Sequence, residues 1–188
     1  IFGGVNSADF GIYISGEGVF DAPKRDVEMI TVPGRNGEFA LDQGRFEKIT
    51  VTYPAFNFEP NDYDTFTQNL SDFRNAICSQ KGYQRLVDTF HPDEYRMAVY
   101  TEGLEIKPIK YNTASQFSIV FECKPQRFLM SGETAISVAS GETLLNPTLL
   151  ESSPLLETLG AGDITINDET ISLVSSGMTV GEVVASNA

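Results

Sequence analysis

The sequence predicts an α+β N-terminal domain, an antiparallel β-sheet with one main helix, followed by a small all-β, sandwich-like C-terminal region. Three observations predict this fold class. Several short segments alternate apolar and polar residues, as half-buried strands do. One segment between them repeats apolar residues at intervals of three and four, which is typical of one helix face. Beyond about residue 130 the chain is rich in Gly, Ser, Thr and Val and loses the helical spacing.

Alternating segments predict most of the sheet. The clearest begins at residue 48 and places Ile49, Val51 and Tyr53 on one face. Pro54 is expected to bend this strand or end its pairing, because proline has no amide hydrogen to donate, although the alternation continues through residues 55–58. Further strands are predicted at residues 10–14, 26–32, 95–100, 104–106 and 117–121.

A helix is predicted over residues 62–80. Apolar side chains recur there at spacings of 3, 4, 3 and 4 residues, which places them on one helix face. They are Tyr63, Phe66, Leu70, Phe73 and Ile77. Asn61 or Asp62 can cap the first turn, and Lys81 and Gly82 mark the end. We expect this stripe to pack against the sheet as core rather than to bind a ligand.

The charge distribution predicts a boundary near residue 130. All 13 Lys and Arg residues lie between Lys24 and Arg127, whereas the last 61 residues hold eight acidic residues and no basic one. We therefore predict an N-terminal domain over residues 1–130 and a C-terminal region over residues 131–188. The C-terminal region is short for a complete domain, so we expect it to be incomplete or to complete itself on a neighbour.

A hairpin is predicted inside the C-terminal region. Residues 163–166 and 170–173 alternate, and they flank Asn167, Asp168 and Glu169, which favour a tight turn. Hairpins without helices are typical of a β-sandwich.

The net charge of −13, from 26 acidic and 13 basic residues, argues against several partners. Displacing counterions from a nucleic-acid backbone needs clustered cations, so we expect no specific nucleic-acid binding. An anionic membrane surface attracts basic segments and repels a chain of this charge. No apolar run reaches the ~20 residues that a membrane-spanning helix needs, so we do not expect membrane insertion either.

The two cysteines, Cys78 and Cys123, leave two interpretations open. Cys78 falls on the predicted helix and Cys123 on a predicted strand, both among apolar residues. They are either two free, buried thiols, as in a reducing cytosol, or the partners of one disulfide. Their wide separation argues against a cysteine metal site, and we expect neither a metal nor a cofactor.

The sequence offers few catalytic groups. The single histidine, His91, precedes Asp93 and Glu94 and could act as a base with an orienting carboxylate. Pro92 followed by two acids between strands is more typical of a tight turn. No nucleophile motif or glycine-rich phosphate loop accompanies His91, so we predict no catalytic residues and no enzymatic activity.

Four segments carry a family resemblance. They are VPGRNGEF at 32–39, DQGRFE at 42–47, GYQRLVD with HPDEYR at 82–96, and FECKPQRF at 121–128. Together, and in this order, they resemble the distal tail proteins of siphophages (the Dit, or phage tail component, family) across about residues 1–130. The LNPT segment at 145–148 and the predicted hairpin resemble the family's C-terminal β-sandwich more weakly.

The resemblance implies a structural role without catalysis. Such proteins form a hexameric ring at the tip of a long, non-contractile tail of a phage or prophage. The ring joins the tail tube to the baseplate hub or host-adhesion apparatus. The implied partners are further copies of the chain, the tail tube protein, and a tail hub, tail-associated fibre or lysin protein. The implied location is the virion tail tip, after assembly in the cytoplasm of the bacterial host.

Three residues are candidates for contacts between subunits of such a ring. Gly34 and Gly37 enclose Arg35 and Asn36 and predict a turn with positive φ that projects Arg35. Arg45 follows in the next segment. Because subunits that each carry −13 repel one another, their contacts must match acid with base locally.

An alternative function is that of a carbohydrate-binding β-sandwich module. Sugars usually stack on aromatic rings, but the chain has no Trp, and residues 129–188 contain neither Phe nor Tyr. This composition argues against a sugar platform in the C-terminal region.

Overall fold

The computed structural model describes residues 1–16, 19–59, 62–109, 113–139, 141–148, 150, 155–157, 162–166, 169–173 and 179–180. The chain divides into two compact units, Ile1–Ala135 and Ile136–Ala188. Among the described residues, no helix is both long and apolar enough to span a membrane.

The first unit is built on an antiparallel sheet. In chain order its strands are β1 Ile12–Ile14, β2 Arg25–Thr31, β3 Glu38–Phe46, β4 Ile49–Phe58, β5 Gln84–Leu86, β6 Glu94–Tyr100, β7 Lys107–Ile109 and β8 Ala114–Leu129, and its helix α1 is Tyr63–Cys78. Six strands form one sheet in the order β1-β4-β8-β6-β5, with β7 pairing beside β6 on β8. Strands β2 and β3 form a separate two-stranded sheet. The predicted α+β fold with one main helix is confirmed.

Three of the predicted strands differ from the structure, and the one predicted at 117–121 is longer, forming β8 Ala114–Leu129. Residues 7–10 form a short 3-10 helix that ends at Gly11, whose φ of 61° a glycine adopts readily, so β1 begins only at Ile12. The strand predicted at 104–106 is wrong, because pairing with β8 begins at Lys107. Leu104 and Ile106 instead pack on the core from a loop, which explains their apolar character without a strand.

Pro54 lies inside β4 and does not interrupt it. It stands opposite Ser118 in an unbroken register with β8, so the expected end of pairing is wrong. The Pro54 carbonyl accepts the Ser15 amide at 2.8 Å, which shows that its backbone polar side faces β1. In an antiparallel strand the N–H and C=O of one residue face the same neighbour. The missing N–H therefore falls just beyond the end of the short edge strand β1, where no ladder bond is lost.

The helix forms where the apolar spacing predicted it, two residues shorter at its C-terminal end. Asp62 caps it, accepting the Thr65 amide at 3.0 Å. Four stripe residues are buried, namely Phe66, Leu70, Phe73 and Ile77. Tyr63 is 55% exposed, so its assignment to the core is wrong. It occupies the first helical position, one turn before the first buried residue of the stripe, Phe66.

The core lies between α1 and the inner face of the sheet. Alternate residues of β4 and β8 supply nearly half of its buried side chains, namely Ile49, Val51, Tyr53, Ala55, Phe117, Ile119, Phe121 and Cys123. Aromatic rings connect the layers: Phe73 of α1 lies 6.3 Å from Phe117, and Phe2 lies 4.7 Å from Phe121. This single packed core holds the first unit together.

In the second unit the described residues form two small antiparallel pairs. Strand β9, Leu156–Glu157, pairs with β12, Thr179–Val180, and β10, Gly162–Ile166, pairs with β11, Glu169–Leu173. The predicted hairpin is therefore confirmed. Glu169 pairs with Ile166, so it belongs to a strand rather than to the turn, while Asn167 and Asp168 lie outside the described residues. The sandwich stays a prediction.

Candidate subunit interface

The β2–β3 hairpin, residues 25–46, is a largely exposed element of the first unit. It forms its own sheet, apart from the six strands around β8. Its two strands carry almost no buried residue: only Asp26, Val27 and Phe46 are partly covered. A two-stranded hairpin without a covered face is marginal by itself, so this element needs other support.

A tight turn at the tip gives the hairpin its shape. Pro33 and Gly34 occupy its centre, Gly34 has a φ of 81°, and the Arg35 amide donates to the Val32 carbonyl at 3.2 Å. Proline followed by glycine with positive φ is the pattern of a type II turn. The predicted glycine turn is confirmed, and Arg35 and Asn36 are exposed at this tip.

One face of the hairpin is apolar. Residues directly opposite each other on paired strands point to the same side, and Ile30 pairs with Phe39 while Glu28 pairs with Leu41. Ile30, Phe39 and Leu41 therefore share a face, with exposed fractions between 37% and 48%. Met29 is 55% exposed on the opposite face. Apolar side chains concentrated on one thin element mark a contact surface.

Ion pairs run along the base of the hairpin. They are Lys24–Glu47, Arg25–Asp42 and Arg45–Asp26. The Gly44 amide and the Arg25 guanidinium both donate to Asp42 and lower the pKa of its carboxyl. These exposed pairs contribute little to stability individually. They do pair each basic side chain at the foot of the hairpin with an acidic side chain of the same chain.

The three residues predicted for subunit contacts thus lie on one element. Arg45 is held by Asp26, its Nε lying 2.7 Å from Oδ2. Within the described part of the chain, Arg35 makes no salt bridge. Arg35 is therefore the hairpin cation left available to a partner. Contact between these residues and another subunit stays a prediction.

A second exposed apolar surface lies on the outer face of the main sheet. Tyr13 of β1 stands opposite Phe56 of β4, and their rings stack at 5.2 Å. Phe56 and Phe58 line a groove of about 310 Å³ together with Ile109 of β7 and Gln116 of β8. These four aromatic and aliphatic side chains, Tyr13, Phe56, Phe58 and Ile109, are 45–57% exposed. We call them the aromatic groove.

His91 lies in a turn, as predicted, but with a different carboxylate partner. Its Nδ1 lies 3.1 Å from Oδ1 of Asp88, and the Tyr53 hydroxyl donates to Oδ2 of Asp88 at 2.9 Å. Both His91 and Asp88 are largely buried. Burial, followed by the nearby Asp88 charge, raises the pKa of Tyr53. This array joins β4 to the loop after β5, and Asp93 and Glu94 play no part in orienting the His91 ring.

The cysteines are both free. Cys123 is buried in the core, and burial raises the pKa of its thiol to about 11. Cys78 is exposed at the end of α1, so the expectation that both thiols are buried is wrong for Cys78. Among the described residues, no cluster of three or more His, Cys, Asp or Glu is placed to hold a metal ion.

Comparison with known proteins rests on structure. No protein-family model matches the sequence, and no curated protein matches it either. Among solved structures, the Dit (gp 19.1) protein of phage SPP1 matches with a TM-score of 0.56 over 88% of this chain, at 10% identity. The chain is similar in fold to that Dit protein. The likeness to siphophage distal tail proteins predicted from the sequence is therefore confirmed at the level of fold.

The SPP1 Dit protein is described as a paradigm of the hub adsorption apparatus in phages that infect Gram-positive bacteria. This chain spans 57% of that protein's length. At 10% identity the likeness concerns the fold, and it assigns no role to individual residues.

The sequence interpretation missed the apolar face of β3. Phe39 and Leu41 alternate with Glu38 and Asp42, and a predicted turn precedes them. Two alternating segments around a glycine turn are the signal of a hairpin. The pattern that predicts this hairpin is therefore present in the local sequence. The aromatic groove has no such local pattern, because β1, β4 and β7 come together only in the fold.

Proposed function

We propose that this chain is a structural component of a long, non-contractile phage or prophage tail tip, in which copies form a ring. The observation that carries the proposal is the exposed hairpin with an apolar face, joined to a domain whose own core is complete without it. The fold likeness to a Dit protein supports the same role. The proposal includes no catalytic step.

The hairpin needs a partner for a physical reason. Ile30, Phe39 and Leu41 keep a large part of their apolar surface in water, and burying it gains about 25 cal/mol per Å². In the part of the chain that the structure describes, the outer edges of β2 and β3 pair with no further strand and so expose backbone groups. A contact with another chain would satisfy both. The partner we propose is a second copy of this chain.

The aromatic groove is the surface proposed to receive the hairpin. It is apolar, it lies on another element, and Lys107 of β7, opposite Gln116, borders it. Lys107 already pairs with Glu105 at 3.5 Å, so the match between the two surfaces rests on their apolar side chains rather than on charge. Two different surfaces that meet head to tail generate a ring when the rotation closes. A hexamer is the ring size that the family resemblance implies.

The ring would occupy the tip of the tail. Following the resemblance, it would join the tail tube protein above to a hub, fibre or lysin protein below. Assembly would take place in the cytoplasm of the bacterial host. The acidic surface, with a net charge of −13, would keep passing DNA from adhering, since like charges repel.

The test uses two variants with complementary defects. Phe39→Glu should disable the hairpin, and Phe56→Glu should disable the groove, so each alone should be monomeric at 20.6 kDa. In an equimolar mixture, the intact groove of the first meets the intact hairpin of the second. We expect a heterodimer of about 41 kDa and no larger species, because a head-to-tail contact can form only once. Sedimentation velocity measures all three samples.

A third variant controls for added charge. Tyr63→Glu adds the same charge at an aromatic residue outside both surfaces that is equally exposed, and it should assemble like the wild type, near 120 kDa for six subunits. Failure of the mixture to form a dimer would contradict the pairing of hairpin with groove. A wild type that stays monomeric at all concentrations and binds sugars through Phe56 would favour the carbohydrate-binding module instead.

A further inference from the structure

A short segment before the hairpin is fastened to the main sheet by two arginines. Residues 19–24, which we call the strap, precede β2. Arg127 Nη2 donates to the Val19 carbonyl at 2.9 Å, and Arg96 Nη2 donates to the Asp21 carbonyl at 3.3 Å. Both arginines belong to the main sheet, so the strap is bonded through its backbone to strands far away in sequence.

The two arginines stand directly opposite each other on β6 and β8. Like charges in such a cross-strand pair destabilise a sheet. Arg96 is only 5% exposed, and among the described residues its Nε and Nη1 have no hydrogen-bond partner, which adds a cost of desolvation. Arg127 Nε lies 3.7 Å from Glu94. Both arginines of this pair donate to a carbonyl group of the strap.

Side chains of the strap add to its attachment. Val19 is 1% exposed and belongs to the core cluster. The ring of Phe20 lies 4.9 Å from the His91 ring and 6.4 Å from the Phe90 ring. The strap is therefore held by a buried apolar side chain, by a ring contact and by two guanidinium bonds to carbonyl groups.

The strap and the link from β3 to β4 are the two covalent attachments of the hairpin. At the hairpin base, the Glu47 amide donates to the Lys24 carbonyl at 2.8 Å. On the other side only two residues separate β3 from β4, and Lys48 of that link pairs with Glu122 of β8. Because an isolated hairpin is marginal, its order depends on these two attachments.

We propose that Arg127, assisted by Arg96, is a positioning residue: it fixes the strap and thereby holds the hairpin in the orientation that subunit contact requires. The inference rests on the proposed function for its role in assembly. That Arg127 orders the strap and the hairpin can be tested without assembly. Removing the guanidinium should free the strap and the hairpin while the core remains intact.

The experiment is amide hydrogen exchange followed by mass spectrometry on the full 188-residue chain. Arg127→Met is compared with its parent in a Phe39→Glu background, so that assembly does not mask the hairpin. Exchange in residues 19–31 and 38–46 should become at least about fivefold faster, while α1 changes less than about twofold. Arg127→Lys, which keeps the charge and a single donor nitrogen, should fall between the two.

The matched control is Lys124→Met, which removes an exposed cation from the same strand, where Lys124 lies 5.2 Å from the Tyr83 ring. It should leave exchange in the strap and hairpin unchanged. Unchanged exchange there in Arg127→Met would overturn the inference. So would a uniform increase across all peptides including α1, because that would mean general destabilisation. If the wild type never assembles, the proposed ring fails while this exchange result still decides the role of Arg127.

Discussion

At the scale of single residues, Asp88 shows how one carboxylate can connect distant parts of the chain. Its Oδ2 accepts the Tyr53 hydroxyl, and its Oδ1 accepts the amides of Phe90 and His91 at 3.0 and 2.9 Å. Burial alone raises the pKa of this carboxyl. The hydrogen bonds from His91 and then Tyr53 outweigh burial, so the pKa of Asp88 lies below its ordinary value of 3.8. The ionised form is therefore the one that the fold stabilises.

Replacing this carboxylate should cost stability in a pH-dependent way. We expect Asp88→Asn to lower the free energy of unfolding by about 1.5–3 kcal/mol at neutral pH, the usual range for hydrogen bonds to a charged group. Because the pKa of Asp88 is lower in the folded state, the contribution of its charge is complete above 3.8 and is lost as the pH falls through the folded value.

The measurement is urea unfolding of Asp88→Asn and the wild type at about pH 7, 5 and 3. The difference in unfolding free energy should be smaller at about pH 3 than at about pH 5, because protonation of Asp88 removes the charge that the fold stabilises. Asp93→Asn, at an exposed position of the same turn, is the control and should stay within about 0.5 kcal/mol of the wild type. A difference that does not narrow would mean that amide geometry, not charge, is responsible.

Residues with local partners could be predicted from the sequence, and those with distant partners could not. The turn at Gly34 follows from four consecutive residues. The partners of Tyr53, Arg96 and Arg127 lie 35, 75 and 108 positions away, and nothing in the neighbouring sequence specifies them. The Asp88–His91 pair is an exception, because its two residues lie only three positions apart, although Asp93 and Glu94 were considered as the carboxylates beside His91.

At the scale of elements, the burial of Phe73 in α1 predicts a large loss of stability when its side chain is truncated. Phe73 is 3% exposed and lies between Phe10 at 5.7 Å and Phe117 at 6.3 Å. Phe73→Ala should therefore destabilise the first unit by about 3–5 kcal/mol, since a large cavity would remain in a packed core. Urea unfolding followed by circular dichroism measures it. Tyr63→Ala, in the same helix but exposed, should change stability by less than about 1 kcal/mol, and a similar loss in both variants would refute the assignment of the buried face.

An element could be predicted from the sequence where the residues that determine it lie within the element itself. The helix has a 3.6-residue period and a capping aspartate of its own, and its position was predicted within two residues. The strand predicted at 104–106 had the right apolar residues, but pairing with β8 begins at Lys107. Pro54 was expected to bend β4 or end its pairing. Its missing N–H costs no ladder bond because β1 ends just before it, and the residues around Pro54 do not reveal where β1 ends.

At the scale of the whole molecule, net charge and local charge act in opposite directions. Each copy carries −13, so copies repel one another over distances comparable to the Debye length, about 8–10 Å at 0.1–0.15 M salt. The basic residues at the hairpin base, Lys24, Arg25 and Arg45, are already paired within the chain. The uneven charge and composition could be read from the sequence, but this internal pairing required the folded hairpin. Attraction between copies must therefore come mainly from apolar surface, with Arg35 as the cation of the hairpin that is still available to a partner.

Salt should separate these contributions. If the apolar face of the hairpin carries the contact, screening the repulsion between copies should strengthen assembly as NaCl rises from about 0.05 to 0.5 M. If an ion pair of Arg35 dominated, the same salt series would weaken assembly. We expect the first result for the wild type, with a larger ring fraction at higher salt in sedimentation velocity.

Arg35→Glu should assemble less at low salt, because it adds repulsion at the tip, and should recover most of the ring at high salt. Its far-ultraviolet circular dichroism should stay unchanged. Arg74→Glu, which reverses an exposed cation on α1, controls for the change in net charge. A ring that dissociates with salt in the wild type, or an Arg35→Glu variant that stays monomeric at every salt concentration, would assign the contact to the arginine rather than to the apolar face.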